Sequence, residues 1–137
     1  MTLEAYNLTV SGNGTLPRVP FLALKEKILG KRYELSIVFV SSREAQKLNA
    51  THRNKEYVPN TLSFSLTKTA GEIVLCTSAI RAEYKKFEMT YDTYLTYIII
   101  HIMLHLKGME HGRIMEDKEK RLLTLFTTHE TTNRRRH

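Results

Sequence analysis

His101-Ile-Met-Leu-His105-Leu-Lys-Gly108-Met-Glu-His111 closes a largely apolar run that begins at Tyr94. On a helix, residues four apart share a face, about 6 Å apart along the axis. His101 and His105 can therefore reach one ion together. His111 cannot join them from the same straight helix. Gly108 can end the helix in a left-handed conformation and let the chain swing His111 back. Three histidines with a fourth position left open is the usual pattern of a catalytic zinc site. Neutral imidazole also suits nickel, copper or iron, so zinc is inferred from ligand type. The plainer alternative is two core histidines and a surface one aligned by chance; the well-placed glycine favours the metal site. The spacing HxxxHxxGxxH also belongs to metzincin proteases, which carry a glutamate general base directly after the first histidine. Ile102 stands there and cannot accept a proton. Glu110 reads more readily as a turn carboxylate or a ligand-orienting partner than as a replacement base.

Working outward, the helix carrying the first two histidines starts at Thr90 or Asp92 and stops at Gly108. A last amphipathic helix is expected over roughly Ile114 to Thr127, with a frayed polar tail after it. Upstream, TLSFSL (Thr61 to Leu66) alternates like a half-buried strand and GEIVLC (Gly71 to Cys76) reads as a second, joined in an antiparallel hairpin. Thr77 or Ser78 caps a helix to about Lys86. Tyr33 to Val40 (YELSIVFV) is a third strand. Ser41 with Glu44 is a capping-box signature that opens the next helix. Pro17 to Leu29 reads as a helix stopped by Gly30, after a flexible SGNGT connection. The pattern implies an α+β fold: a small mixed sheet of about four strands covered by helices, as a single domain over 1–137.

The 137 residues are 42% hydrophobic and 26% charged, which suits an ordinary globular core and argues against wholesale disorder. The net charge of +7 favours polyanionic partners, though simple solubility explains it equally well. The lone Cys76 permits no intrachain disulfide. The N-terminus shows no secretory pattern, and the longest apolar run is shorter than a membrane span. A cytoplasmic setting is expected.

HIMLHLKGMEH resembles the signature HGxLHLxGYDH of the YbeY family of bacterial endoribonucleases. Leu48 to Leu66, LNATHRNKEYVPNTLSFSL, resembles the family's upstream segment LNxxYRxKDxPTNVLSFP, and GEIVL stands for its GD(I/L)VI strand. The two motifs lie in the family's order, and the likeness covers roughly Tyr33 to Phe126. Ile102 replaces the usual glycine, Met109-Glu110 replaces Tyr-Asp, His52 a tyrosine, Ser65 a proline and Glu72 an aspartate; no ligand is lost.

The resemblance implies hydrolysis of single-stranded RNA, ribosomal RNA maturation and quality control, and the small ribosomal subunit as a possible partner. It places the family's cleft arginine on Arg53, where a guanidinium can grip a phosphate through two hydrogen bonds. The catalytic set is then Arg53, His101, His105 and His111, with one zinc on the three histidines. Lys55 would add backbone attraction, and Ser63 would orient a phosphate or a water, unless it is simply an outward strand serine. Arg32, Lys47, Lys85, Lys86, Arg113 and Arg134 to Arg136 can track an RNA backbone, although for any one of them a solvated face is the simpler reading. Tyr94 and Tyr97 read as core. Two rivals stand: a non-catalytic RNA-binding ribosome-assembly factor with a structural zinc, and a metal-dependent amidase or peptidase. The first wants a fourth protein ligand; the second lacks the glutamate at position 102.

Overall fold

The computed structural model describes the backbone of residues 1–53 and 60–135 and the side chains of residues 1–51 and 60–127. The chain runs β1 (Thr2–Ala5), β2 (Leu8–Ser11), α1 (Phe21–Ile28), β3 (Glu34–Val40), α2 (Ser42–Arg53), β4 (Thr61–Thr67), β5 (Ala70–Cys76), α3 (Thr77–Glu83), a 3₁₀ turn (Tyr84–Phe87), α4 (Tyr91–Leu106) and α5 (Arg113–Arg135). This is the expected α+β fold, with five strands where about four were expected. The sheet order is β1-β2-β3-β5-β4. Strands β2, β3 and β5 are parallel, and antiparallel partners β1 and β4 close the two edges. The extra hairpin β1–β2 escapes sequence reading because its strands have only four residues each and β1 has no buried side chain.

The central strands explain their own composition. Ile73 and Leu75 of β5 belong to the main core cluster, while the intervening Val74 and Cys76 are also buried. A strand buried on both faces reads as a continuous apolar run, which is what IVLC is. The free Cys76 is thus a small core residue. At α2 Ser41 caps the helix: the Glu44 amide donates to Ser41 Oγ at 3.2 Å, and the Ser41 hydroxyl donates to the Glu44 carboxylate at 3.3 Å, in place of the backbone bond of a full capping box.

The helix α4 organises the rest. Nine of its residues are buried, from Tyr94 to Leu104, and it packs against α1, α5 and β4. An apolar helix of this kind must sit inside the fold. Its first turn is capped by Thr90, whose hydroxyl accepts from the Thr93 amide at 3.2 Å. The C-terminal helix begins one residue before the expected start and continues past Thr127 to Arg135, so the expected frayed tail is mostly helical. Among the described residues no helix is long and apolar enough to cross a membrane.

The end of α4 rests on the sheet at Gly71. A Cβ there would overlap the Tyr33 hydroxyl, and would lie 3.2 Å from the Phe64 carbonyl oxygen and 3.3 Å from Leu106 Cδ2. The hairpin glycine therefore lets the ligand-bearing helix approach. Gly71→Val forces an overpacked contact and is expected to lower the unfolding free energy by about 1–3 kcal/mol. Urea denaturation measures this directly, and an unchanged midpoint would contradict the packing described.

Candidate metal centre

His101 and His105 lie one turn apart on the half-buried face of α4. The chain leaves α4 through Gly108, at φ 103°. The Gly108 amide donates to the His105 carbonyl at 2.9 Å, and the Met109 amide to the Leu104 carbonyl at 3.0 Å. These are the two hydrogen bonds of a Schellman ending, which needs the left-handed residue that glycine supplies. Three residues later His111 stands over the same spot. The ring centroids are 4.6 Å apart for His101–His105, 5.1 Å for His101–His111 and 4.4 Å for His105–His111. One nitrogen from each ring falls within 4.8 Å of the other two.

This donor set fits a metal ion. Ligand nitrogens about 2.05 Å from a tetrahedral zinc stand about 3.3 Å from each other, and His101 Nε2 and His105 Nε2 are 3.1 Å apart. Burial, and then the proximity of His101 and His111, hold the His105 pKa below the ordinary value, which favours the neutral form that a metal needs. At 3.1 Å one ring can donate its N–H to the other, and a shared cation would take the place of that proton. The three histidines are positioned to hold a metal ion.

Sequence reading missed Glu119. It is only 5% exposed, and its carboxylate meets His101 Nδ1 at 2.5 Å. An Nδ1–H donated to a carboxylate leaves Nε2 as the ligand atom and fixes the ring. Tyr97 stands beside them: burial, then the Glu119 charge, push its hydroxyl pKa up, so it remains a phenol. The signal was present in the sequence: Met115, Glu119 and Leu122 fall at helical spacing on the buried face of α5, and a carboxylate in an apolar stripe needs a partner.

The groove in front of the ligands has a volume of about 550 Å³. Ser63 of β4 is exposed and lines it together with His105 and His111, so the structure brings Ser63 to the histidines. Ile102 is 7% exposed and forms part of the groove floor. Glu110 is exposed. Arg53 ends α2, but its side chain lies outside the described residues, as does all of Lys55.

Glu119→Gln keeps the shape of the side chain and removes its charge. It is expected to weaken metal binding roughly 10- to 100-fold, read by competition with a chromophoric chelator. Wild-type affinity in this variant would mean that His101 needs no such support.

The family model described as "Endoribonuclease YbeY" matches residues 17–128. Curated proteins named Endoribonuclease YbeY are similar to this chain. The one from Bdellovibrio bacteriovorus is 36% identical over 97 residues, covering 69% of this chain and 62% of the relative. The one from Finegoldia magna is 32% identical over 114 residues, covering 74% of each. The chain thus spans about three-fifths of the first relative's length and three-quarters of the second's. The solution structure of TM1509 from Thermotoga maritima superposes with a TM-score of 0.65 at 25% identity, over 92% of this chain and 93% of the other. With a family match that takes in the sheet from β3 onward, α4, the glycine turn and all three histidines, this chain belongs to the YbeY family.

Proposed function

We propose that the chain is a zinc-dependent endoribonuclease that cleaves single-stranded RNA, as one hydrolase domain over 1–137. The observation that carries this reading is the convergence of three imidazole nitrogens within 4.8 Å of one another on the wall of an open groove. The name shared by its relatives, Endoribonuclease YbeY, supports the reaction class. An exposed His111 and an adjoining groove suit a site with an open position better than a closed structural one.

In this reading His101, His105 and His111 are the zinc ligands. The ion, when bound, supplies Lewis acidity toward a phosphoryl oxygen and acidifies water. Glu119 holds His101 in the tautomer that presents Nε2. Arg53, at the end of α2, holds the scissile phosphate and stabilises charge as it develops. Lys55 attracts the neighbouring backbone. Ser63, on the groove wall beside His105 and His111, orients a phosphate oxygen or a water. Ile102 supplies no base, which weighs against the peptidase alternative. We assign the natural substrate to ribosomal RNA in the cytoplasm, with the small ribosomal subunit as partner.

The test combines metal analysis with cleavage of single-stranded RNA. His105→Ala is expected to lose both metal and cleavage. Arg53→Ala is expected to retain metal and to lose roughly 100-fold or more in kcat, the scale for removing one preorganised group at developing charge. Stoichiometric metal with no cleavage of any RNA by the wild type would overturn the nuclease reading. Full activity in Arg53→Ala would remove that residue from the scheme.

A further inference from the structure

A second groove, of about 370 Å³, runs along α4 from His101 and His105 to Phe87. Its floor is a ladder of rings. Phe87 stacks on Tyr94 at 4.7 Å with planes 20° apart, Tyr94 lies 6.3 Å from Tyr97 at 29°, and Tyr97 lies 6.3 Å from His101 at 36°. Tyr94 is 4% exposed, as befits a core residue, but Phe87 is 49% exposed. The ring beneath Phe87 is buried. Burial, then the neighbouring Glu83, push the Tyr94 hydroxyl pKa up, and the Glu83 carboxylate accepts from Asn60 Nδ2 at 2.6 Å. Asn60 and Thr61 form part of the groove lining as well, and among the described residues Thr61 Oγ1 is buried with no hydrogen-bond partner.

Phe87 closes the 3₁₀ turn Tyr84–Phe87, directly after Lys85 and Lys86, both exposed. An isolated surface phenylalanine needs no explanation. This one is backed by a buried aromatic, follows two cations, and ends a groove whose other end is the histidine cluster. Aromatic rings in a positively charged groove are how proteins take up single strands without reading their sequence: every base has a π-face, and the cations hold the backbone.

We infer that Phe87 is a stacking platform for an unpaired nucleobase, with Lys85 and Lys86 on the phosphates that flank it. This rests on the reading of the chain as acting on single-stranded RNA, and adds a subsite to it. From Tyr94 to His105 the helix rises about 16 Å. At about 3.4 Å per stacked nucleotide that distance spans roughly five nucleotides, fewer if the strand is stretched. The base on Phe87 is therefore a few nucleotides from the bond that is cut, and the subsite acts on affinity rather than on chemistry.

The test is fluorescence anisotropy of the metal-loaded full chain with a single-stranded oligodeoxythymidylate of about a dozen nucleotides, within the range of such sites. Its bases can stack but it is no ribonuclease substrate. A strand of equal length made of abasic residues is the comparison. Phe87→Ala is expected to weaken binding to the base-bearing strand roughly 5- to 100-fold and to leave the abasic strand unaffected. Phe87→Leu, which keeps apolar cover over Tyr94, is expected to show the same loss, and Phe87→Tyr to restore affinity. Lys85→Ala with Lys86→Ala should flatten the salt dependence by about 0.7 per cation lost. Equal binding of the base-bearing strand by wild type and Phe87→Leu overturns the platform, as does an equal loss on both strands. Cleavage plays no part in these measurements, so a wild type that binds in this pattern but cuts no RNA would refute the nuclease reading and support the platform.

Discussion

Burial of α4 is the constraint from which the site follows. The helix carries too much apolar surface to lie anywhere but inside, so its direction and rotation are set by β4, α1 and α5. That rotation leaves one edge, with Tyr97, His101 and His105, half-buried and facing outward. The glycine turn then has only a short distance over which to bring back His111. The two hydrogen bonds of the Schellman ending remove the slack: once Gly108 and Met109 have bonded to the last carbonyls of α4, the direction of the next residues is decided. A ligand set built on a packed helix and a bonded turn is preorganised. Binding then need not order a loose loop, an entropic cost of about 1–2 kcal/mol per residue fixed.

The same packing brings in a charge. Burial of a lone carboxylate costs several kcal/mol, and Glu119 offsets it by pairing with His101. Together, three imidazoles, a phenol and a carboxylate make a polar cluster inside an apolar frame: the carboxylate orients the His101 ring, and burial, then the closeness of the other rings, disfavours protonation of His105. The cluster opens to solvent toward Ser63 on one side and toward Phe87 on the other, so the histidines sit between two grooves that share Thr61, Ile102 and His105.

Legibility in the sequence followed the strength of local patterning. β5 and α4 were readable because extensive burial leaves long apolar runs, and the ends of α4 because Thr90 caps it and Gly108 takes a left-handed turn. Ser41 with Glu44 announced α2 in the same way. The first hairpin was not readable: in β1 and β2 only Leu8 and Val10 are buried, too few to set a period. Two of the three ligands could be paired from helical spacing alone, and the third from the glycine. Ser63 could be nominated but not placed, since an exposed strand serine means nothing until β4 is seen beside α4. Glu119 and Phe87 depend on contacts between elements that no local pattern records, although a carboxylate on the buried face of α5 was a trace of the first. Tyr94 was read correctly as core; its part in supporting an exposed ring becomes visible only when the 3₁₀ turn is folded over it.

The most direct test of the central claim, that three imidazoles hold one ion and leave a position open, is X-ray absorption spectroscopy of the zinc-loaded protein. Three imidazole nitrogens at about 2.0–2.1 Å with one further light-atom ligand from solvent, and loss of one imidazole shell in His111→Ala, is the expected result. A sulfur shell at about 2.3 Å, or an unchanged shell in that variant, would place the metal elsewhere and contradict the account.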